Sequence, residues 1–376
     1  MWQFLFFNLI IMIHILYSGL GGHGNVFFSF IKADEHKSFE YEAIFAGVED
    51  IREEYVTKCT TNKVGWIFIK KKKGVDTNFN KKIVTVLKDS KSSIIFLHGS
   101  RFVILARIAA LFSKNKKKIV VRETQANHLK TKAEWIWLGF SMLLADKIIF
   151  LTDNFKEEVN KKLGPLYRPD KVGVISNGMD LSFFKPVSKP ATDAIIVGMQ
   201  SRIVPIKDHE TLLKALALFH KNYPEIKVLL KIAGDGESLP ALKLLASKLK
   251  LDELVMFTGL LNENELINFM QSLDIYIHAS FGETMSTAIM QAMACKLPII
   301  ASNVPGINNM IENNKTGLLV TIQNEEEMAK AIYTVITDTE KAERLKNAAY
   351  SYAFLNYSNI TMFAKYKEVF NAILNK

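Results

Sequence analysis

Two cations in one loop are the first residues of this sequence whose types and spacing could do chemistry. Arg202 and Lys207 lie in "MQSRIVPIKDHETLLKAL". They follow an apolar, strand-like run, residues 194–199, and precede a helical pattern. Basic residues at the start of a helix oppose its dipole, so their presence there favours an anionic partner. An arginine fork and a lysine ammonium on one loop can together hold both phosphates of a diphosphate.

A carboxylate occupies a similar place later in the chain. Glu283 lies in "SFGETM", before a helix that should begin near Ser286 or Thr287, both of which are good N-caps. The free N–H groups of the residues that follow Met285 would form an anion site there. A carboxylate beside such a site can hydrogen-bond sugar hydroxyls next to a bound diphosphate. Eight positions after Glu283, Gln291 falls inside the predicted helix. Taken alone, a surface glutamate and a half-buried glutamine are the better interpretation of this pair.

Two glycine turns also follow strand-like runs. Gly21 and Gly22 in "SGLGGHGN" precede a helical pattern, where backbone N–H groups could approach a phosphate, although the spacing is not G-x-G-x-x-G. A tight strand-to-helix turn explains them equally well. The Gly-Asp-Gly turn in "KIAGDGES" is usually only a turn, but Gly234 at its start could touch a nucleotide base.

Polar side chains end strands in the first half of the sequence as well. His98 closes the run "IIFLH", and Glu123 and His128 lie in "RETQANH" after the next strand-like run. At the ends of parallel strands these groups would face an acceptor substrate. Each of them can also be purely structural.

Short apolar runs rich in Ile, Val and Phe alternate with helical patterns over nearly the whole chain, which predicts an α/β fold. Buried strands separated by helices imply parallel sheets with helices on both faces. We expect two facing, doubly wound Rossmann-like domains with a cleft between them. The aperiodic stretch 183–194, which holds Pro186 and Pro190, marks the boundary. The predicted domains are residues 1–186 and 187–357, and a last helix, 358–376, is expected to return to the first domain.

The net charge of +10 is carried by the first half of the chain. Residues 1–186 contain 29 Lys+Arg and 18 Asp+Glu, giving +11, and the remainder contains 19 and 20, giving −1. A basic face suggests a polyanion, and an anionic membrane surface is the predicted partner; lysine runs that merely keep the protein soluble are the alternative. Because the basic residues follow no recognition-helix or aromatic-platform pattern, nucleic acid is not expected.

Cysteine content and the N-terminal segment bear on localisation. Two cysteines, Cys59 and Cys295, without metal-ligand spacing indicate a reducing, cytoplasmic compartment. The apolar start "MWQFLFFNLIIMIHILYSG" lacks a basic region and a clear cleavage site, so we interpret it as a buried first strand rather than a signal peptide or a span. Met12 is a natural start for that strand, which would make residues 1–11 an extension.

In this order, the motifs resemble those of glycosyltransferase family 4, whose retaining members have the GT-B fold. "SRIVPIKDHETLLKAL" is similar to the family's donor-phosphate loop, and "VMFTGLLNENELINFMQSLDIYIHAS" to the segment that leads into the donor site. "FGETMSTAIMQAMACKLPIIASNVPGINNMIENNKTGLLV" closely resembles the family signature, and "VISNGMDLSFFKP" resembles the end of its first domain. The similarity is strongest from about residue 194 to 320.

The resemblance implies roles for several residues. Glu283 would contact the donor sugar, while Arg202, Lys207 and the helix N-terminus would stabilise charge on the leaving diphosphate. Gln291 stands where the family has a second glutamate, which binds the nucleotide ribose. A glutamine can still donate and accept one hydrogen bond there, but it loses the charge-assisted component. Glu123 stands where relatives often carry a histidine.

The implied activity is metal-independent, retaining hexosyl transfer from a nucleotide-diphosphate sugar, with no cofactor. The expected acceptor is a glycan or glycolipid, such as a lipid-linked or lipopolysaccharide precursor, at the cytoplasmic membrane face. Two alternatives stay open: a nucleotide-sugar epimerase of the same fold, and a non-catalytic nucleotide-sugar-binding protein, which the Gln291 departure motivates. The sequence does not identify the sugar, the base or the linkage.

Overall fold

The computed structural model describes residues 10–19, 22–189 and 193–375, and along them strands and helices alternate. The strands are β1 Ile10–Tyr17, β2 Phe39–Gly47, β3 Gly65–Lys70, β4 Ile94–Leu97, β5 Lys118–Arg122, β6 Lys147–Phe150, β7 Val172–Val174, β8 Ile195–Gln200, β9 Val228–Ala233, β10 Val255–Gly259, β11 Ile275–His278, β12 Ile299–Ser302 and β13 Leu318–Val320. The helices are α1 Gly22–Ala33, α2 Glu53–Thr61, α3 Thr77–Asp89, α4 Val103–Phe112, α5 Lys132–Leu144, α6 Asp153–Leu163, α7 His209–Asn222, α8 Leu239–Lys248, α9 Glu263–Ser272, α10 Thr287–Ala294, α11 Glu325–Thr337, α12 Thr339–Tyr357 and α13 Asn359–Leu374.

The strands form two sheets, and every strand pair within the described residues is parallel. The first sheet has the order β3-β2-β1-β4-β5-β6-β7, and the second has the order β10-β9-β8-β11-β12-β13. In each sheet the strand order reverses beside the first strand, between β1 and β4 and between β8 and β11. The predicted fold class, two Rossmann-like doubly wound domains, is therefore confirmed.

The apolar runs become strands because both faces of each sheet are covered by helices. In β1, Met12 and Leu16 pack into a core with α1 and α13, while Ile13 and Ile15 pack into another with α3, α4 and α5. A strand buried on both faces reads as a continuous apolar run. Burying each such side chain contributes roughly 1.5–3 kcal/mol, which makes these runs the strongest folding signal in the sequence.

The chain divides into two compact units, residues 1–180 with 359–376 and Leu181–Ser358. The first boundary lies earlier than the predicted one after Pro186. The reason is that the stretch following Asp180 is bonded to the second unit. Gln271 Nε2 donates to the Lys185 carbonyl oxygen at 3.0 Å, and Lys189 is paired with Asp274 at 2.6 Å. The second boundary falls between Ser358 and Asn359.

The last helix, α13, packs on the first unit. Its Phe363, Tyr366 and Phe370 share a core with Phe30 and Phe96. The backbone N–H of Asn359 donates to the Met179 carbonyl oxygen at 2.9 Å, which fixes the start of the helix. Their spacing of three and four residues places these aromatic side chains on one face of the helix, which packs into this core.

The first strand begins earlier than Met12, the start that the sequence suggests. Ile10 and Ile11 pair with Phe39 and Glu40 in the ladder between β1 and β2, so both belong to the sheet rather than to an extension. Residues 1–9 lie outside the described part of the chain. Among the described residues, no helix is long and apolar enough to cross a membrane.

Candidate active site

Two loops of the second unit meet at the point where its strand order reverses. One loop follows β8 and carries Arg202 and Lys207, and the other follows β11 and carries Glu283. Because β8 and β11 are adjacent, their carboxyl ends bring the loops side by side, which is where ligands of such sheets bind. The Ile206 carbonyl oxygen joins them, since it accepts from the backbone N–H of Phe281 at 2.9 Å and from Ser280 Oγ at 3.1 Å.

The loop after β8 is closed on itself by His209. Its Nδ1 lies 2.8 Å from the Lys207 carbonyl oxygen, and its Nε2 lies 3.1 Å from Ser201 Oγ. Burial lowers the pKa of His209 to about 4, so the imidazole is neutral at pH 7. Asp208 then caps α7 by accepting from the Thr211 backbone N–H. The backbone around Lys207 is therefore fixed by short-range bonds before any ligand arrives.

Lys207 and Glu283 form the centre of the site. Lys207 Nζ donates to Glu283 Oε1, and His278 Nε2 lies 3.0 Å from the same oxygen. The side chains of Lys207 and Glu283 are mostly buried, at 11% and 18% exposed. Residues from two loops and one strand end thus converge on a single carboxylate oxygen.

His278 orients this carboxylate as a neutral donor. Burial lowers the pKa of His278, so its ring has one N–H at pH 7. An ionised carboxylate can only accept, so the proton is on Nε2 and Nδ1 is an acceptor. The Tyr276 hydroxyl donates to the Gln200 carbonyl oxygen at 3.3 Å, and its oxygen lies 3.1 Å from Nδ1. The Glu283 carboxylate therefore selects this tautomer, and Tyr276 contacts the other ring nitrogen.

The carboxyl of Glu283 is ionised under all ordinary conditions. Burial alone would raise its pKa, but the hydrogen bond from His278 and the charge of Lys207 outweigh burial and lower the pKa to about 2. The group consequently presents a fixed negative charge and free lone pairs rather than a transferable proton.

Arg202 and Gly234 lie where the β8 loop meets the turn after β9. Arg202 is exposed. Gly234 has φ +134°, and a Cβ there would stand 1.9 Å from the Ser201 carbonyl oxygen, so only glycine allows this turn to approach the loop. The structure thus gives Gly234 a packing role beside Arg202, and its contact with a nucleotide base stays a prediction.

The helix after Glu283 begins where the sequence predicts. Ser286 is the N-cap of α10, and its Oγ accepts from the Ile289 backbone N–H at 3.4 Å. Met285 and Ser286 are buried, whereas Thr287 is exposed. Gly306, at φ +89°, lies so close to this loop that a Cβ would stand 1.9 Å from the Glu283 carbonyl oxygen. The glycine of "NVPG" therefore lets a second backbone segment support Glu283.

Gln291 is 8% exposed and lies in the part of α10, residues 288–294, that is buried all round. Its Oε1 is buried and has no hydrogen-bond partner among the residues that the structure describes. An unpaired buried amide oxygen costs roughly 1–3 kcal/mol. A structural glutamine would be expected to satisfy that oxygen within the protein, so this arrangement suits a residue that meets a ligand.

In the first unit, His98 belongs to a cluster at the carboxyl ends of β4 and β5, beside His14 in the middle of β1. Its Nε2 lies 3.2 Å from His14 Nδ1, and its Nδ1 lies 3.4 Å from Arg122. Arg122 is buried and also donates to Asn177. Burial, followed by the nearby charge of Arg122, lowers the pKa of His14 to about 3. Burial likewise lowers the pKa of His98 well below its usual value, so His98 is a neutral group beside a buried cation.

The other two acceptor-side candidates are in different surroundings. Glu123 is buried, accepts from Ser100 Oγ at 2.7 Å, and pairs with Lys130 at 3.5 Å. Its lone pairs are thus partly engaged inside the unit. His128 is exposed, in the short 3-10 turn Asn127–Leu129. The structure does not join His128 to the cluster around His98.

The glycine loop after β1 is only partly described. Gly21 lies outside the described residues, and Gly22 is the first residue of α1. The proposed phosphate contact of these glycines stays a prediction.

Sequence reasoning missed His278 and Tyr276. Both lie on β11, where all four residues are buried. In such a strand a polar residue cannot be recognised as functional from the sequence pattern. The available signal was the position of His278 as the last residue of the strand, directly before the loop that carries Glu283.

Two family models together match most of the chain. The model described as "Glycosyl transferases group 1" matches residues 182–352, and the one described as "Glycosyltransferase Family 4" matches residues 20–183. The division between them lies close to the boundary between the two units.

Individual relatives are more distant. The chain is 28% identical, over 57% of its length, to a D-inositol 3-phosphate glycosyltransferase of Stackebrandtia nassauensis, and it spans about half of that protein, 52%. It is 26% identical to the UDP-Gal:alpha-D-GlcNAc-diphosphoundecaprenol alpha-1,3-galactosyltransferase of Escherichia coli, with 67% of this chain and 68% of the relative covered.

Solved structures share the fold. The chain resembles Anabaena Alr3699/HepE in complex with UDP and glucose at a TM-score of 0.79 and 19% identity, with 96% and 99% of the two chains covered. A glycosyltransferase of Rickettsia africae gives a TM-score of 0.83 and 20% identity over 98% and 99%. With both family models matched in chain order and the signature loop built around Glu283, the chain belongs to the group 1, family 4 glycosyltransferases.

Proposed function

We propose that this protein is a retaining glycosyltransferase that moves a hexosyl group from a nucleotide-diphosphate sugar to an acceptor. The observation that carries the proposal is the convergence of Lys207 and His278 on Glu283 at the switch point of the second sheet. This arrangement provides a cation for phosphate and a fixed carboxylate for sugar hydroxyls within one loop cluster.

In the proposed donor site, different residues bind the diphosphate, the sugar and the ribose of the nucleotide-diphosphate sugar. Arg202 and Lys207, with the first N–H groups of α10 around Met285, Ser286 and Thr287, neutralise the diphosphate as its bond to the sugar breaks. Glu283 accepts from sugar hydroxyls, and Gln291 accepts from the ribose. The proposal needs no metal ion, because two side-chain cations and a helix N-terminus supply the positive charge.

The donor-free arrangement has a consequence for binding. Lys207 is held by Glu283, so an arriving phosphate must compete with this ion pair for the ammonium group. The His278 hydrogen bond keeps Glu283 in place when Lys207 turns toward the phosphate. We therefore assign Lys207 to the diphosphate and His278 to the positioning of Glu283.

The proposed acceptor is a lipid-linked or surface-polysaccharide precursor at the inner face of the cytoplasmic membrane. Two observations support this choice. The Escherichia coli relative is named for a diphosphoundecaprenol-linked acceptor, and the first half of this chain carries the whole positive excess. His98 and Glu123 are the acceptor-side candidates with defined partners, and exposed His128 is a third.

A panel of UDP- and GDP-sugars tests the proposal. Release of nucleotide diphosphate with sugar transfer is expected for one donor, and the anomeric configuration of the product, read by NMR, tests retention. Conversion of the sugar without release of the diphosphate would support an epimerase. Binding without either reaction would support a non-catalytic protein.

A matched pair of variants connects the activity to the site. Glu283→Gln is expected to abolish transfer, because the neutral amide no longer offers the charged acceptor. Glu312→Gln, which changes an exposed glutamate paired with Lys315 in the same unit, is the control and should transfer normally. Equal activity of the two variants would remove the basis of the proposal.

A further inference from the structure

Helix α4 of the first unit exposes large apolar side chains toward its carboxyl end. Ile108, Leu111 and Phe112 are spaced three and four residues apart, so they lie on one face. Leu111 is 71% exposed and Phe112 is 73% exposed. The opposite side of the helix, including Ala106 and Ala109, is buried against the sheet.

Helix α5 presents a second apolar row beside the first. Ile136, Phe140 and Leu143 are spaced four and three residues apart, and Ile136 is 61% exposed. Arg107 Nε on α4 donates to the Leu144 carbonyl oxygen at the end of α5 at 2.9 Å, which fixes the two helices side by side. We call these six exposed residues the α4–α5 surface.

Positive charge borders the α4–α5 surface. Residues 81–118, which include α3 and α4 but not α5, contain ten Lys+Arg and one acidic residue, Asp89; of the ten, Lys117 is buried and Arg107 is paired with Asp146. Lys114 and Lys116 lie two and four residues after Phe112 and are exposed. Ser113 Oγ donates to the Lys88 carbonyl oxygen at 2.9 Å, which brings the basic end of α3 to the same place.

We propose that the α4–α5 surface docks on an anionic phospholipid bilayer. Its apolar side chains enter the boundary between headgroups and acyl chains, and the bordering lysines meet the lipid phosphates. A contiguous apolar surface with a basic border has the composition of an interfacial membrane contact. The inference rests on the proposed function only for its choice of a membrane partner, and it adds the place of contact.

The charge distribution favours a bilayer over a second copy of the chain. A symmetric pair would bring the same lysine-rich border against itself, and like charges at an interface are unfavourable. An anionic bilayer instead complements both the apolar centre and the border.

Vesicle co-sedimentation of the full chain tests the proposal. The vesicles are pure phosphatidylcholine or phosphatidylcholine with phosphatidylglycerol. The variants are Leu111→Ser with Phe112→Ser, Lys114→Ser with Lys116→Ser, and the control Leu355→Ser, which removes an equally exposed leucine of α12 (71%). Each apolar side chain removed should weaken binding about tenfold, and each lysine removed about fivefold.

The expected result is binding to the anionic vesicles, a loss of at least tenfold in both double variants, and no change in the control. Near-ultraviolet circular dichroism checks that the variants fold. Equal binding of the wild type and the apolar double variant would overturn the proposal, as would binding to neither type of vesicle. A concentration-dependent dimer in sedimentation velocity that the apolar double variant abolishes would assign the surface to self-association instead.

A separate measurement, of donor hydrolysis, tests the proposed transferase activity independently of vesicle binding. Donor hydrolysis, measured without vesicles, should be the same in the wild type and in all three variants, because none of the changed residues is in the second unit's site. Vesicle binding without any donor reaction would uphold the surface and reject the transferase assignment.

Discussion

Replacement of Gln291 by methionine should stabilise the protein and weaken donor binding at the same time. In the donor-free structure Oε1 of Gln291 is buried without a partner among the described residues. An unmade hydrogen bond of this kind costs roughly 1–3 kcal/mol. Methionine has a similar length and no polar atom to satisfy, so the free energy of unfolding should rise by ~1 kcal/mol. If the oxygen meets the ribose, the same change should weaken donor affinity about tenfold, which corresponds to ~1.4 kcal/mol.

The measurements are urea unfolding for stability and isothermal titration with UDP and GDP for affinity. Ser141→Ala is the matched control, because Ser141 Oγ is another buried atom that lacks a partner among the described residues, but it is on α5 of the first unit. This variant should gain stability without any change in affinity. Gln291→Glu should lose stability, because it buries a charge, and should keep or improve donor affinity. A methionine variant that is destabilised and binds the nucleotide normally would refute the ribose role and leave Gln291 as a packing residue.

Three further predictions concern the same site. Arg202→Ala should leave the melting temperature unchanged, because Arg202 is exposed, and should weaken nucleotide-diphosphate affinity by about tenfold in calorimetry; unchanged affinity contradicts the phosphate role. Tyr276→Phe removes the polar contact at Nδ1 that helps to position the His278 ring, so kcat should fall while KM for the donor changes little, and a variant with normal kcat would show that this contact does not matter. Glu283 has a pKa of about 2 when folded against an ordinary 4.5, so it contributes ~3 kcal/mol of stability above pH 5 that is lost as the pH falls towards 2. The stability difference between the wild type and Glu283→Gln should therefore narrow over that range in denaturant titrations, and a constant difference would contradict the depressed pKa.

The sequence was sufficient for the two sheets, because each buried parallel strand appears as a short apolar run. The helix α12 was not predicted. It follows α11 with only Asp338 between them, and this residue both ends the first helix and caps the second. With no glycine or proline at the junction, the pattern contains no clear stop signal. The boundary after Asp180 was also missed, since it depends on hydrogen bonds from distant residues.

The candidate site shows the same division. A charged residue in a loop between a buried strand and a helix can be recognised from the sequence alone. The three residues identified in this way are Arg202, Lys207 and Glu283. The strand order β9-β8-β11 brings Lys207 and Glu283 into contact, and this order cannot be read from the sequence. His278 was missed for the same reason. It positions Glu283 only because the loop after β11 turns back and brings Glu283 beside it. For Glu123, only the structure showed Ser100 and Lys130 beside it.

The ionisation of Glu283 favours the proposed transfer over epimerisation. Proton transfer is most effective when the pKa of the catalytic group is close to the working pH. A carboxyl with a pKa of about 2 is a weak base and is never protonated near pH 7, so Glu283 is poorly suited to the acid/base chemistry of an epimerase. His278 is buried, is already bonded on both ring nitrogens, and has a lowered pKa, so it does not supply that chemistry either. The same properties suit the transfer that we propose, in which Glu283 would hold sugar hydroxyls by charge-assisted hydrogen bonds and the leaving phosphate would take the acceptor's proton.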